Sequence, residues 1–157
     1  MEESIASELP LRILALGNDL LADDVLGLLA GREAARRFGA KVEVACSSAA
    51  GLHLLEDVLG AGRLVVIDTI VTGRGEPGTV RVFREGELAA PPGGSPHSSG
   101  IFDAVALARQ LGLAVPAEIT VIAVEGADCT TIGGPVHPAV ERAVEPVLNE
   151  IGKLVAI

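Results

Sequence analysis

Tryptophan and tyrosine are absent from this 157-residue chain and phenylalanine occurs only three times. Any core must therefore be built from Val, Ile, Leu and Ala, and the aromatic platforms on which proteins stack nucleic-acid bases are missing. Cysteine is almost as scarce. The two present, Cys46 and Cys129, lie far apart in no CxxC pair, which argues against a disulfide scaffold or a zinc knuckle and fits a reducing compartment. Positive charge is also short: 12 Lys and Arg face 21 Asp and Glu, a formal net charge of −9. Such a field repels phosphate backbones and anionic lipid headgroups, so neither nucleic acid nor a membrane surface is an expected partner. No apolar run approaches the roughly 20 residues of a membrane span, and the opening MEESIASELP has neither a basic n-region nor an apolar h-region. A soluble, cytoplasmic protein is expected, with residues 1–10 a flexible extension.

What is present is the material of a folded domain. Hydrophobic residues make up 49% and charged residues 21%, and the length suits one compact domain spanning 1–157. LRILAL at 11–16, RLVVIDT at 63–69 and EITVIAV at 118–124 are short apolar runs of the kind buried on both faces of a mostly parallel sheet. VEVAC at 42–46 and TVRVF at 79–83 read as two further strands, the second announced by the Pro77–Gly78 turn signal. Helical patterns at 24–37, 51–59, 99–111 and 138–154 alternate with them, Pro138 standing in a favourable first turn. The alternation predicts a three-layer α/β/α sandwich around a central sheet of about five strands, with ligand chemistry at the strand C-terminal ends. The loops expected to carry it are 17–23, 69–78 and 84–98, the last a Pro- and Gly-rich segment read as a lid or binding loop.

Three residues stand out on these loops. GNDLLADD at 17–24 closes the first strand and opens a helix, so Asp23 or Asp24 can cap that helix and complement its dipole. Asp68 ends RLVVID, where burying a carboxylate costs several kcal/mol unless it is paired, hydrogen-bonded or metal-bound. His97 lies in GGSPHSSG, just before a helix that Ser98 or Ser99 could cap. An imidazole and two carboxylates from separate loops would form an open N/O site suited to nickel, zinc or a similar divalent metal.

GNDLLADD, then VIDTI with PGTV following, then SPHSSG, in that order, resemble the hydrogenase maturation endopeptidases, which remove a C-terminal extension from the large subunit of nickel–iron hydrogenases. The resemblance covers roughly residues 11–150 and is specific as a set. It implies that Asp24, Asp68 and His97 are the metal-contacting and catalytic residues, that no metal is permanently bound, and that the nickel is carried by the substrate, a hydrogenase large-subunit precursor. A monomer is expected. The chain departs from the family pattern in having Ala15 where a glycine is usual, Val25 where a glycine usually follows the acidic pair, and Asp24 where many members carry Glu. Asp24 is expected to face the site, and Asp23 to cap the helix or face water, since neighbouring helical residues point roughly 100° apart.

Other signals carry less. A literal GxGxxG at Gly73, Gly75 and Gly78 precedes a strand instead of the helix a dinucleotide needs, so it reads as a hairpin-like turn. There is no GxSxG elbow, which leaves no serine nucleophile to pair with His97. Cys46 and Cys129 read as small buried apolar residues, His53 as a residue between leucines, and His137 as an N-cap neighbour. Two rival readings follow: a binding module that tests nickel loading without cleaving, and a small-molecule hydrolase or phosphorylase. The second needs an anion site that the acidic 17–24 loop does not offer.

Overall fold

A computed structural model of the chain describes residues 10–85 and 101–156. Five strands form one sheet in the order β2-β1-β3-β5-β4: β1 (Leu11–Leu16), β2 (Glu43–Ser47), β3 (Arg63–Ile70), β4 (Val80–Arg84) and β5 (Glu118–Glu125). β1, β2, β3 and β5 run parallel, with Leu14 opposite Val66 and Val66 opposite Val121. All eight residues of β3 are buried, the expected fate of a central parallel strand covered on both faces.

The period of two along each strand sorts the core into two layers. Ile13 and Ala15 of β1, Val65 and Ile67 of β3, and Ile122 and Val124 of β5 face helix α1 (Leu26–Phe38) and the C-terminal pair α4 (Pro138–Arg142) and α5 (Val144–Val155). Leu14, Leu16, Leu64, Val66, Val121 and Ala123 face the other way, onto the single turn α2 (Leu55–Val58) and helix α3 (Ile101–Gln110). The three-layer sandwich is therefore as expected. Each fully buried Leu, Ile or Val in these layers contributes about 1.5–3 kcal/mol. Among the described residues no helix is long and apolar enough to cross a membrane.

Local chemistry explains where the elements depart from the sequence pattern. The 138–154 pattern is broken at Ala143, between α4 and α5. Pro146 has no N–H to donate to the Arg142 carbonyl four residues back, and its ring crowds that carbonyl, so the continuous helix cannot form. The first helix is preceded by a 3-10 turn, Ala22–Val25. Helix α1 then starts directly on the sheet: a Cβ at Gly27 would collide with the Leu16 carbonyl oxygen, so only glycine allows the approach.

Two expectations about the sheet edges are corrected. β3 and β4 are not neighbours; β4 pairs antiparallel with β5, Val80 opposite Val124 and Arg84 opposite Thr120. The Gly73–Gly78 segment is thus a crossing over β5 and no hairpin. Because β4 is reversed, residue 85 leaves the sheet near the start of β5, its N–H donating to the Ile119 carbonyl at 3.1 Å. The 84–98 loop accordingly begins at the edge opposite the one expected. Most of that loop, the predicted caps Ser98 and Ser99, and residues 1–9 lie outside the described residues.

Candidate active site

The strand order places a topological switch between β1 and β3: the chain leaves β1 for β2 on one side and leaves β3 towards β5 on the other. At such a point the connections diverge and open a crevice outside the carboxyl ends of the strands. Asp24 lies in the 3-10 turn that follows β1, and Asp68 lies near the end of β3; both are 0% exposed. The two acids therefore flank the switch point from its two sides. His97, the third predicted residue, lies outside the described residues, and among those described no group of three or more His, Cys, Asp or Glu is arranged to hold a metal ion.

The backbone around Asp24 is tightly specified. Its N–H donates to the Leu21 carbonyl at 2.8 Å, and its own carbonyl accepts from the Asn18 N–H at 3.3 Å, folding GNDLLADD back on itself. Ala22 sits at φ 40°, in the left-handed region that costs a non-glycine residue of order 1–3 kcal/mol. Asp68 accepts from the Thr69 N–H at 2.8 Å and shares its strand face with Leu64 and Val66, towards α3.

Asp23 holds this strained loop in place, and here the sequence reading is corrected. It neither caps the helix nor faces water: no side-chain cap is made, and the residue is 1% exposed. Its carboxylate accepts three backbone N–H groups from the loop leaving β5, those of Ala127 at 2.7 Å, Asp128 at 3.0 Å and His137 at 2.6 Å. Its main-chain N–H donates to the Asp128 carbonyl at 2.8 Å. The Thr69 hydroxyl donates to its carbonyl at 3.4 Å, tying in the end of β3. A buried carboxylate surrounded by amide donors is satisfied without a cation.

The loop so anchored brings in a residue the sequence reading set aside. Burial, and then the carboxylates of Asp24, Asp23, Asp68 and Asp128, push the Cys129 thiol up to about 12. Cys129 is therefore a half-buried, protonated thiol beside both candidate acids, and not a nucleophile. Neighbouring Asp128 is held down to about 2 by the Thr131 hydroxyl and the Thr130 and Thr131 N–H groups. One rule could have found this loop: 126–137 leaves a parallel strand at the same edge as Asp68. Cys46, also expected to be buried, is exposed because β2 is an edge strand. His53 is exposed, and His137 is itself the N-cap of α4, its Nδ1 accepting from the Ala139 N–H at 3.1 Å.

Known proteins share both the sequence and this architecture. A family model described as hydrogenase maturation protease matches residues 31–154. The hydrogenase 2 maturation protease of Escherichia coli K12 is 29% identical over 143 residues, 88% of this chain and 86% of that protein. The hydrogenase expression/formation protein HupD of Bradyrhizobium diazoefficiens is 30% identical over 142 residues, 87% of this chain and 73% of that protein. Among solved structures, the hydrogenase maturating endopeptidase HybD of E. coli superposes with a TM-score of 0.75 at 28% identity, covering 91% of this chain and 90% of that one. The NiFe hydrogenase maturation protease HybD of Thermococcus kodakarensis gives 0.70 at 29% identity, covering 94% and 99%. With its switch-point acids, its sheet order and these likenesses, the chain belongs to the hydrogenase maturation protease family and is an endopeptidase of that kind.

Proposed function

We propose that this endopeptidase removes the C-terminal extension of a nickel-loaded hydrogenase large-subunit precursor, working as a cytoplasmic monomer, and that Asp24, Asp68 and His97 contact the nickel held by the substrate. The observation that carries this reading is the pair of fully buried acids, Asp24 and Asp68, flanking the crevice of a fold shared with maturation proteases. Carboxylates taken out of water are costly unless a cation or hydrogen-bond donors meet them, and a divalent ion arriving with the substrate is such a cation. Oxygen and imidazole ligands from separate loops form an open, weak site that engages a metal already held elsewhere.

The chain's own residues supply orientation and charge. The Asn18 N–H and the Asp23 clamp fix the Asp24 backbone, so the nickel is met by groups that need not reorganise. The substrate's metal then polarises the scissile carbonyl or activates a water. Cys129 remains a neutral thiol and contributes no thiolate nucleophile.

The test is to strip the enzyme with chelator, remove the chelator, and offer nickel-free and nickel-loaded precursor. Only the loaded precursor should be cut, and Asp24→Asn or Asp68→Asn should slow cutting by about 100-fold or more, the scale of losing a group that stabilises transition-state charge. Efficient cutting of nickel-free precursor, or activity that returns only after the enzyme itself is metallated, would overturn the proposal.

A further inference from the structure

An open cleft of about 470 Å³ is lined by the exits of β1 and β2 and by helix α1. Asn18, Leu20, Leu28, Arg32, Cys46 and Ser48 are among the residues lining it. The size lies within the roughly 300–1,000 Å³ of ligand-binding pockets. The loop that walls the cleft is also the loop that holds Asp24, although neither Asp24 nor Asp68 lines the cleft itself: the Gly17 N–H donates to the Ser47 carbonyl at 3.1 Å, and the Asn18 N–H donates to the Asp24 carbonyl at 3.3 Å. Leu20, 62% exposed, forms an apolar lip. Leu28 and Arg32, four residues apart on α1, line one side.

Arg32 differs from the paired cations. Arg12, Arg36, Arg37, Arg81 and Arg109 each meet a glutamate. Arg32 meets none among the described residues, and the adjacent Glu33 is already engaged by Arg36 and Arg37. Lys41, Arg74 and Arg142 also make no ion pair among the described residues, but none of them lines the cleft. Asp19 also lines the cleft but makes no ion pair with Arg32; in a chain with a net charge of −9, a guanidinium left unengaged there can still meet an incoming carboxylate. A free polyanion is disfavoured by the overall field, so the carboxylate arrives attached to a bound polypeptide.

We infer that this cleft is the subsite for the segment being removed, and that Arg32 selects an acidic side chain on it. The inference rests on the proposed cleavage function. The retained side of the scissile bond is committed to the folded body that holds the nickel, which leaves the cleft to the departing extension. Arg32 lies eight residues beyond Asp24, two steps through the 3-10 turn and six along α1, a rise of roughly 13 Å. At roughly 3.3 Å per extended residue, the acidic side chain falls three to four residues past the scissile bond.

The experiment uses two nickel-loaded precursors that carry either Glu or Lys at the third and fourth positions of the extension, each cut by the wild type, by Arg32→Glu and by Arg36→Gln, a cation on the same helix outside the cleft. The wild type and Arg36→Gln should show a KM about fivefold lower for the Glu precursor, the scale of an exposed ion pair, with kcat little changed. Arg32→Glu should reverse the preference. Equal KM for the two precursors in the wild type, or a preference that survives in Arg32→Glu, would overturn the inference. If the wild type cuts neither precursor, the cleavage reading falls instead, and the cleft is judged by the anisotropy of fluorescein-labelled octapeptides carrying Glu or Lys at those positions. Tighter binding of the Glu peptide by the wild type but not by Arg32→Glu upholds the subsite; indifference to the charge rejects it.

Discussion

Two buried acids close loops at the same edge of the sheet, and they are satisfied by different means. At the crevice, Asp23 accepts only main-chain N–H groups, three of them from one distant loop. On the far side of β3, Glu125 at the end of β5 is 1% exposed and gathers the 71–79 crossing: it accepts the Thr72 N–H at 2.7 Å and the Thr72 hydroxyl, and Arg81 stands 3.9 Å away. The far clamp has a guanidinium within reach. At the crevice a guanidinium would neutralise Asp24 and Asp68 as well, so amide dipoles replace it. The difference teaches that the negative charge of the crevice is preserved by the way its own scaffold is built.

Breaking the first clamp should have the largest effect. Asp23→Ala takes the acceptor from three part-buried N–H donors, which water can partly replace, so a loss of about 2–3 kcal/mol of stability in urea denaturation is expected, together with loss of cleavage. Asp23→Asn retains an acceptor for Ala127 and Asp128 but turns an amide N–H₂ towards the His137 N–H, so a loss of about 1–2 kcal/mol is expected. Wild-type stability in place of either loss would show that the 126–137 loop does not depend on this carboxylate.

Glu125→Gln should matter less. The amide oxygen still accepts from Thr72, and what disappears is the attraction to a partly exposed Arg81, so a cost of under about 1 kcal/mol and unchanged cleavage kinetics are expected. A collapse of activity would mean that the two clamps are coupled through β3 and β5.

The smallest effect separates the two cysteines. At pH 8 iodoacetamide should label exposed Cys46 and spare Cys129, whose thiol is pushed up to about 12, and peptide mapping reads the difference. In Asp23→Ala both should label. Because the folded state holds the Cys129 proton more tightly than the ordinary value of 9.0, its contribution to stability is full below about pH 9 and fades as pH rises towards 12. Rapid labelling of native Cys129 at pH 8 would refute the charged surroundings assigned to it.

The strands were legible because burial on both faces leaves little choice of residue: 11–16, 63–69 and 118–124 match β1, β3 and β5 to within a residue at either end. The direction of β4 was not, since a run such as TVRVF has the same pattern whichever way it points. The positions of Asp24 just after β1 and of Asp68 near the end of β3 could be read from the strand pattern, while their roles are those proposed above. Asp23 could not, because two acids at a helix start look like caps until the chain returns from residues 127 and 137 to meet one of them. Cys46 was misjudged for a related reason: β2 sits at the edge of the sheet, and edge or centre is decided by strand order, which no single strand encodes.

The three Asp23 bonds join residues 104, 105 and 114 positions apart. Contacts of that span form late, after the loop-closure entropy of most of the chain has been overcome, and they put the molecule among slower-folding, high-contact-order topologies. During synthesis the carboxylate has none of these partners until residues 127 and 128 have emerged, and the set is complete only with residue 137. A chain that stops short of this loop therefore has β1 and β3 but no fixed crevice between them, and the peptidase comes into being only once the 126–137 segment has been made.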